Sequence, residues 1–224
     1  MKEKERKLTG KELERKEHFQ KICEKMEADG YERKDLTAGV VEANVAALVF
    51  PLPFVILAGV IFFAVNPFGN LADSFSVGIE NDGGLDVLLV AVYAVSLIIL
   101  FILHEAIHGI TWGIFAKNHF RSISFGVIWE MLTPYCTCAE PLKKWQYILG
   151  GAMPTIVLGV GMTALSAVTG NFMIMLLNEV MIFGGGGDLF IIIKMLRYRP
   201  EDGDVVYYDH PYECGVVAFT KALK

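Results

Sequence analysis

VLLVAVYAVSLIILFILHEAIHG, residues 87–109, runs from Val87 to Leu103 without a charge before it meets His104, Glu105 and His108. An apolar stretch of this kind is what a helix needs to cross bilayer hydrocarbon, about 20 residues at 1.5 Å each. Its body decides the fold class, and its far end raises the question of function. Ionisable side chains at membrane depth are costly to keep and mark working sites by default.

The rest of the chain agrees with a membrane reading. Of 224 residues, 54% are hydrophobic and 20% charged, and the mean hydropathy is +0.45, well on the apolar side of a soluble domain. Charge is segregated: the first 35 residues carry eleven of the 20 Lys and Arg, whereas residues 43–72 contain no ionisable group. The N-terminal segment is too long and too polar for a signal peptide, so the apolar body itself is expected to insert. A net charge of −5, with no basic patch interleaved with aromatics, excludes nucleic acid as the expected partner.

Four spans are predicted, near residues 43–65, 85–116, 147–168 and 171–196. Pro51 and Pro53 should interrupt the first, because each removes a backbone donor. Lys and Arg near the spans are retained in the cytoplasm. The head is rich in them, the 66–84 loop has none, the 117–146 loop has Lys117, Arg121, Lys143 and Lys144, the TGN turn at 169–171 has none, and the tail begins with Lys194, Arg197 and Arg199. Both termini are therefore expected inside, in a multi-pass protein of the cytoplasmic membrane. On this topology Cys23, Cys136, Cys138 and Cys214 face the cytoplasm, where thiols stay reduced.

The expected architecture is an all-α integral membrane protein of four transmembrane helices with a short cytoplasmic β-hairpin. It divides into a helical head (1–35), a membrane-embedded domain (36–199) and a cytoplasmic tail (200–224). The head reads as a helix laced with Glu/Lys pairs and ended near Gly30. The hairpin is read from alternating Ile123, Phe125, Val127 and Trp129, followed by a second strand over 132–138.

On a helix, His104 and His108 share a face and can present one ring nitrogen each to a single ion, the spacing of H-E-x-x-H zinc sites. Glu105, one position round, can reach a water on that metal and serve as general base. Hydrogen bonding between helices would explain histidines here, but it requires neither this triplet nor this spacing. A catalytic zinc needs a third protein ligand, and Asp188 is the expected one. Lys117 lies nine residues after His108 and Arg197 nine after Asp188, so both groups sit about 13 Å from a basic marker, at one depth. Gly184–Gly187 precede the aspartate and let the fourth span pack closely or unwind beside a polar cavity. His210 is the fallback ligand; His18 and His119 are expected at the surface. Glu42, Asn44, Asn178 and Glu179 read as interfacial or packing residues, and the thiols of Cys136 and Cys138, on one face of a strand, as packing.

HEAIHG in the second span, GGAMP opening the third and GGGGDLF in the fourth resemble the zincin peptidases, small bacterial membrane proteins first catalogued as a domain of unknown function and similar in layout to site-2 proteases. The resemblance covers roughly residues 95–215. It implies a three-helix catalytic core with zinc on His104, His108 and Asp188, Glu105 as base, and Pro154 with its neighbouring glycines along the substrate path. Site-2 proteases carry Asn and Pro shortly before the aspartate, where this chain has four glycines. The expected activity is hydrolysis of peptide bonds in membrane or membrane-associated proteins near the cytoplasmic leaflet. An extended substrate would add as a strand to the 121–138 hairpin. The competing class is non-catalytic: a membrane metal-binding or transport protein, or an inactive protease-like scaffold. A transporter would place ionisable groups through both leaflets, whereas the strong ones here gather in one.

Overall fold

The computed structural model describes residues 10–67, 87–128, 133–200, 203–211 and 213–222. Helix α1 (Gly10–Ala28) stops, as expected, near Gly30, whose φ of +82° is a left-handed turn that glycine adopts without a Cβ penalty. Strand β1 follows (Glu32–Ala38). Among the described residues, four helical stretches are long and apolar enough to cross a membrane: Val40–Val65, Val87–Phe115, Lys144–Thr169 and Phe172–Arg197. Their outer surfaces expose large apolar side chains such as Ile98, Ile102, Val160 and Val168, which water would penalise and lipid would cover.

Three of the four stretches are interrupted where the sequence removes a donor or a side chain. The first divides at Pro51 into α2 (Val40–Val49) and α3 (Leu52–Val65). Helix α4 (Val87–Phe115) is unbroken. The third changes register after Pro154: α5 (Lys144–Pro154) passes through a π turn at Thr155–Val160 into α6 (Gly161–Thr169). The fourth breaks at Gly185 into α7 (Phe172–Gly184) and α8 (Gly186–Arg197). Glycine is needed there for close approach as well. A Cβ on Gly186 would overlap the Ala47 carbonyl of α2, and one on Gly185 would overlap Thr155 Oγ1.

The predicted hairpin is present as β2 (Ile123–Ile128) paired with β3 (Thr133–Cys138); Trp129 and Leu132 lie outside the described residues. It packs against α4, where Gly109 leaves room for Ile123 and Phe125.

The all-α expectation requires correction. Beside the hairpin stands a four-stranded antiparallel sheet in the order β1-β6-β5-β4, built from β1, β4 (Leu142–Lys143), β5 (Gly203–Asp209) and β6 (Cys214–Ala222). The physical reason is two covered faces. Tyr207, Val216 and Ala218 bury into one cluster with Trp112, Tyr147 and Met195 of the spans, while Tyr208, Val217 and Phe219 bury into another with Phe19 and Met26 of α1. Alternate residues along a strand point to opposite faces, so the sheet is a middle layer between α1 and the spans. The expected division at residue 35 falls inside β1, whose Asp35 pairs with Val217 of β6. Head and tail thus share one layer, attached to the span ends that carry Val40, Phe115, Lys144 and Arg197.

Candidate metal centre

Helix α4 places His104 and His108 one turn apart, both buried, at 5% and 3% exposure. The break at Gly185 starts α8 beside them, so Asp188 falls in the first turn of that helix with its carboxylate turned to both rings. His104 Nε2 lies 3.1 Å and His108 Nε2 3.2 Å from Asp188 Oδ2, and the two Nε2 atoms are 3.2 Å apart. Among the described residues, these three form the only group of three or more His, Cys, Asp or Glu whose donor atoms all lie within 4.8 Å of one another. The depth comparison between His108 and Asp188 therefore corresponds to a meeting of the side chains.

The donor set fits a divalent cation. Nitrogen and oxygen ligands about 2.0–2.1 Å from a tetrahedral ion stand about 3.3 Å apart, close to the three observed separations. The back of one imidazole is fixed as well. His108 Nδ1 donates to the Gly150 carbonyl at 2.8 Å, which leaves its Nε2 lone pair for the centre of the triangle. Asp188 retains 24% side-chain exposure against 6% and 3% for the histidines, so the cluster opens on the aspartate side.

Glu105 is half-buried on the same turn of α4, and the Cys136 backbone N–H of β3 faces its carboxylate. The hairpin thus borders the site. Burial and the neighbouring carboxylate of Glu105 push the Cys136 thiol well above its ordinary range.

Several supporting residues were not singled out in the sequence. Trp112, four residues beyond His108, stacks on the imidazole with ring centroids 4.9 Å apart and 13° between planes. Its Nε1–H donates to the Tyr147 carbonyl at 3.2 Å. Tyr147 in turn donates its hydroxyl to Asp209 of β5, and the other Asp209 oxygen accepts the Cys138 N–H at 2.8 Å. Burial pushes the Asp209 carboxyl up despite these two donors. The i, i+4 spacing of His108 and Trp112 was a readable signal; the pairing of Tyr147 with Asp209, 62 residues on, had none.

The remaining candidates sit elsewhere. His210 is buried and accepts the Glu213 N–H at 2.9 Å; it does not belong to the three-residue cluster. Pro154 is fully buried at the junction of α5 with its π turn. Asn178 is buried and donates to Thr163 Oγ1 at 2.8 Å, Glu42 pairs with Lys194 at 3.3 Å, and Cys136 and Cys138 both bury against the spans. All four cysteines are free thiols.

Residues 97–202 match the model of a family described as "Putative zincin peptidase". The matched segment carries His104, Glu105, His108, Pro154 and Asp188. No curated protein and no solved structure matches the chain.

Proposed function

We propose, with the match of residues 97–202 to a zincin peptidase family as premise, that this chain is a membrane-embedded zinc metallopeptidase. It acts on membrane or membrane-associated proteins at the cytoplasmic leaflet. The observation that carries the reading is the triangle of His104, His108 and Asp188, with ligand atoms 3.1–3.2 Å apart and Glu105 on the same helical turn.

In this reading His104, His108 and Asp188 would hold zinc through two neutral imidazoles and one carboxylate. Zinc bound there supplies Lewis acidity, polarising a peptide carbonyl and making a water acidic near pH ~7. Glu105 takes the proton of the attacking water and returns it to the departing amine nitrogen. The nearby β2–β3 hairpin would support an extended substrate through backbone pairing along a strand. The sheet, the hairpin and both termini lie on the cytoplasmic side, as the Lys and Arg distribution favours.

The test compares cleaved fragments of membrane proteins in cells carrying the wild-type protein or Glu105→Gln. Fragments present only with the wild type, and equal zinc in both purified proteins, support the reading. Equal fragments with the variant remove Glu105 as base. Zinc without any cleavage by the wild type favours the non-catalytic class.

A further inference from the structure

The GGAMP segment has a second structural role, visible in its hydrogen bonds. In an α-helix the N–H of residue i donates to the carbonyl of residue i−4. At position 154 of α5 that donor is missing, because proline has none, and the carbonyl left without it belongs to Gly150. A proline ring also crowds the carbonyl four residues earlier. This same Gly150 oxygen accepts the His108 Nδ1–H at 2.8 Å, across from α5 to α4.

The two glycines complete the arrangement. A Cβ on Gly150 would overlap the indole of Trp112, the ring that stacks on His108; without it, α4 comes close enough for the imidazole to reach the carbonyl. Gly151 lies against Ile192 of α8, the helix that carries Asp188. Glycine at 150, glycine at 151 and proline at 154 thus serve three needs at one crossing: approach to α4, approach to α8, and a carbonyl without the donor four residues on.

We infer that Pro154 is a positioning residue for His108: by withholding a backbone N–H from Gly150, it reserves that carbonyl for the imidazole and aims Nε2 at the metal position. This deepens the proposed metal centre and rests on it. Groups that orient a ligand's second nitrogen change metal affinity by about 10–100-fold when removed. Pro154→Ala restores the missing N–H, which competes for the oxygen.

The experiment uses full-length protein in detergent micelles. Zinc affinity is measured by competition with a chelator, and the His108 Nδ1–H is followed by NMR on zinc-loaded protein with 15N-labelled histidine, assigned by its loss in His108→Asn and its retention when His18, His119 and His210 are replaced. Wild type should bind one zinc and show a downfield Nδ1–H protected from exchange. In Pro154→Ala, affinity should fall about tenfold or more, and the proton should move upfield and exchange faster. Equal affinity with an unchanged signal in the variant overturns the inference while leaving the metal centre standing. Should Pro154→Ala not fold, Pro154→Ser restores the same N–H and is read against the same two outcomes; an unprotected His108 Nδ1–H in the wild type contradicts the inference on its own. A wild type that binds no zinc overturns the metal centre itself.

Discussion

Tyr147, at the start of the third span, donates its hydroxyl to the half-buried carboxylate of Asp209 in β5. That bond connects the sheet to the candidate site: the Tyr147 carbonyl holds the Trp112 indole, which lies flat on His108. Asp209 also holds β3 through the Cys138 N–H, so one carboxylate joins the sheet, the hairpin and the spans.

Asp209→Ala should therefore disturb the site from outside it. The substitution leaves two buried donors without acceptors, at about 1–3 kcal/mol each. The expected outcome is a lower thermal midpoint in detergent together with weaker zinc binding. A lower midpoint with unchanged zinc affinity would show that the connection ends at Tyr147.

Gly186→Ala tests the contact that seats Asp188. The added methyl meets the Ala47 carbonyl of α2, which belongs to the backbone and has little room to yield. Overpacking of this kind costs about 1–3 kcal/mol, and α8 should shift with its aspartate. Zinc affinity is expected to drop; Gly187→Ala, where a Cβ meets nothing within 4 Å, is the control and should bind as the wild type does.

Acid should loosen the turn between α4 and the hairpin. Burial raises the Glu140 carboxyl, but the Ser122 hydroxyl, the N–H groups of Asn118 and Lys117 and the Asn118 amide outweigh it, and the net shift is downward from 4.5. A carboxylate lowered in the folded state contributes stability above its unfolded pKa and loses it as pH falls through the folded value. Unfolding midpoints should thus decline below about pH 4.5, and decline less in Glu140→Gln. Identical pH profiles for the two proteins would contradict this role.

Thiol chemistry should separate the cysteines. Cys214 is exposed, whereas Cys136 and Cys138 are buried; burial first, then nearby carboxylates, push the Cys138 thiol up to about 12. Because the thiolate is the reactive form, a maleimide at neutral pH should label Cys214 quickly and Cys136 and Cys138 only after unfolding. Rapid labelling of Cys138 in the folded protein would mean that the hairpin leaves its place against the spans.

The spans were legible because lipid selects composition over a fixed length, so Val87–Phe115 stands out without reference to any other part of the chain. The His104–His108 pair was legible through helical periodicity, and Asp188 through depth, which is a one-dimensional coordinate that sequence can carry. The breaks at Pro51 and in the 184–187 glycines followed from local chemistry. Strands β5 and β6 were missed although GDVVYYD and CGVVAFTKA around DHPYE have the makings of a hairpin; they were read as a tail because they follow the last span. Pairing β1 with β6 joins Asp35 to Val217, a long-range choice that alternation does not specify. Trp112 was within reach of the i+4 rule, and the role of Gly150 was within reach of the proline four residues later.

The central claim is that two imidazoles from one helix and a carboxylate from another hold a single zinc. X-ray absorption at the zinc edge, on stoichiometrically loaded full-length protein and on Asp188→Ala, tests it most directly. Two imidazoles and one carboxylate at about 2.0–2.1 Å are expected in the wild type, with the carboxylate lost and affinity reduced in the variant. A wild-type zinc without imidazole neighbours, or one whose ligation and affinity are the same in Asp188→Ala, would contradict it.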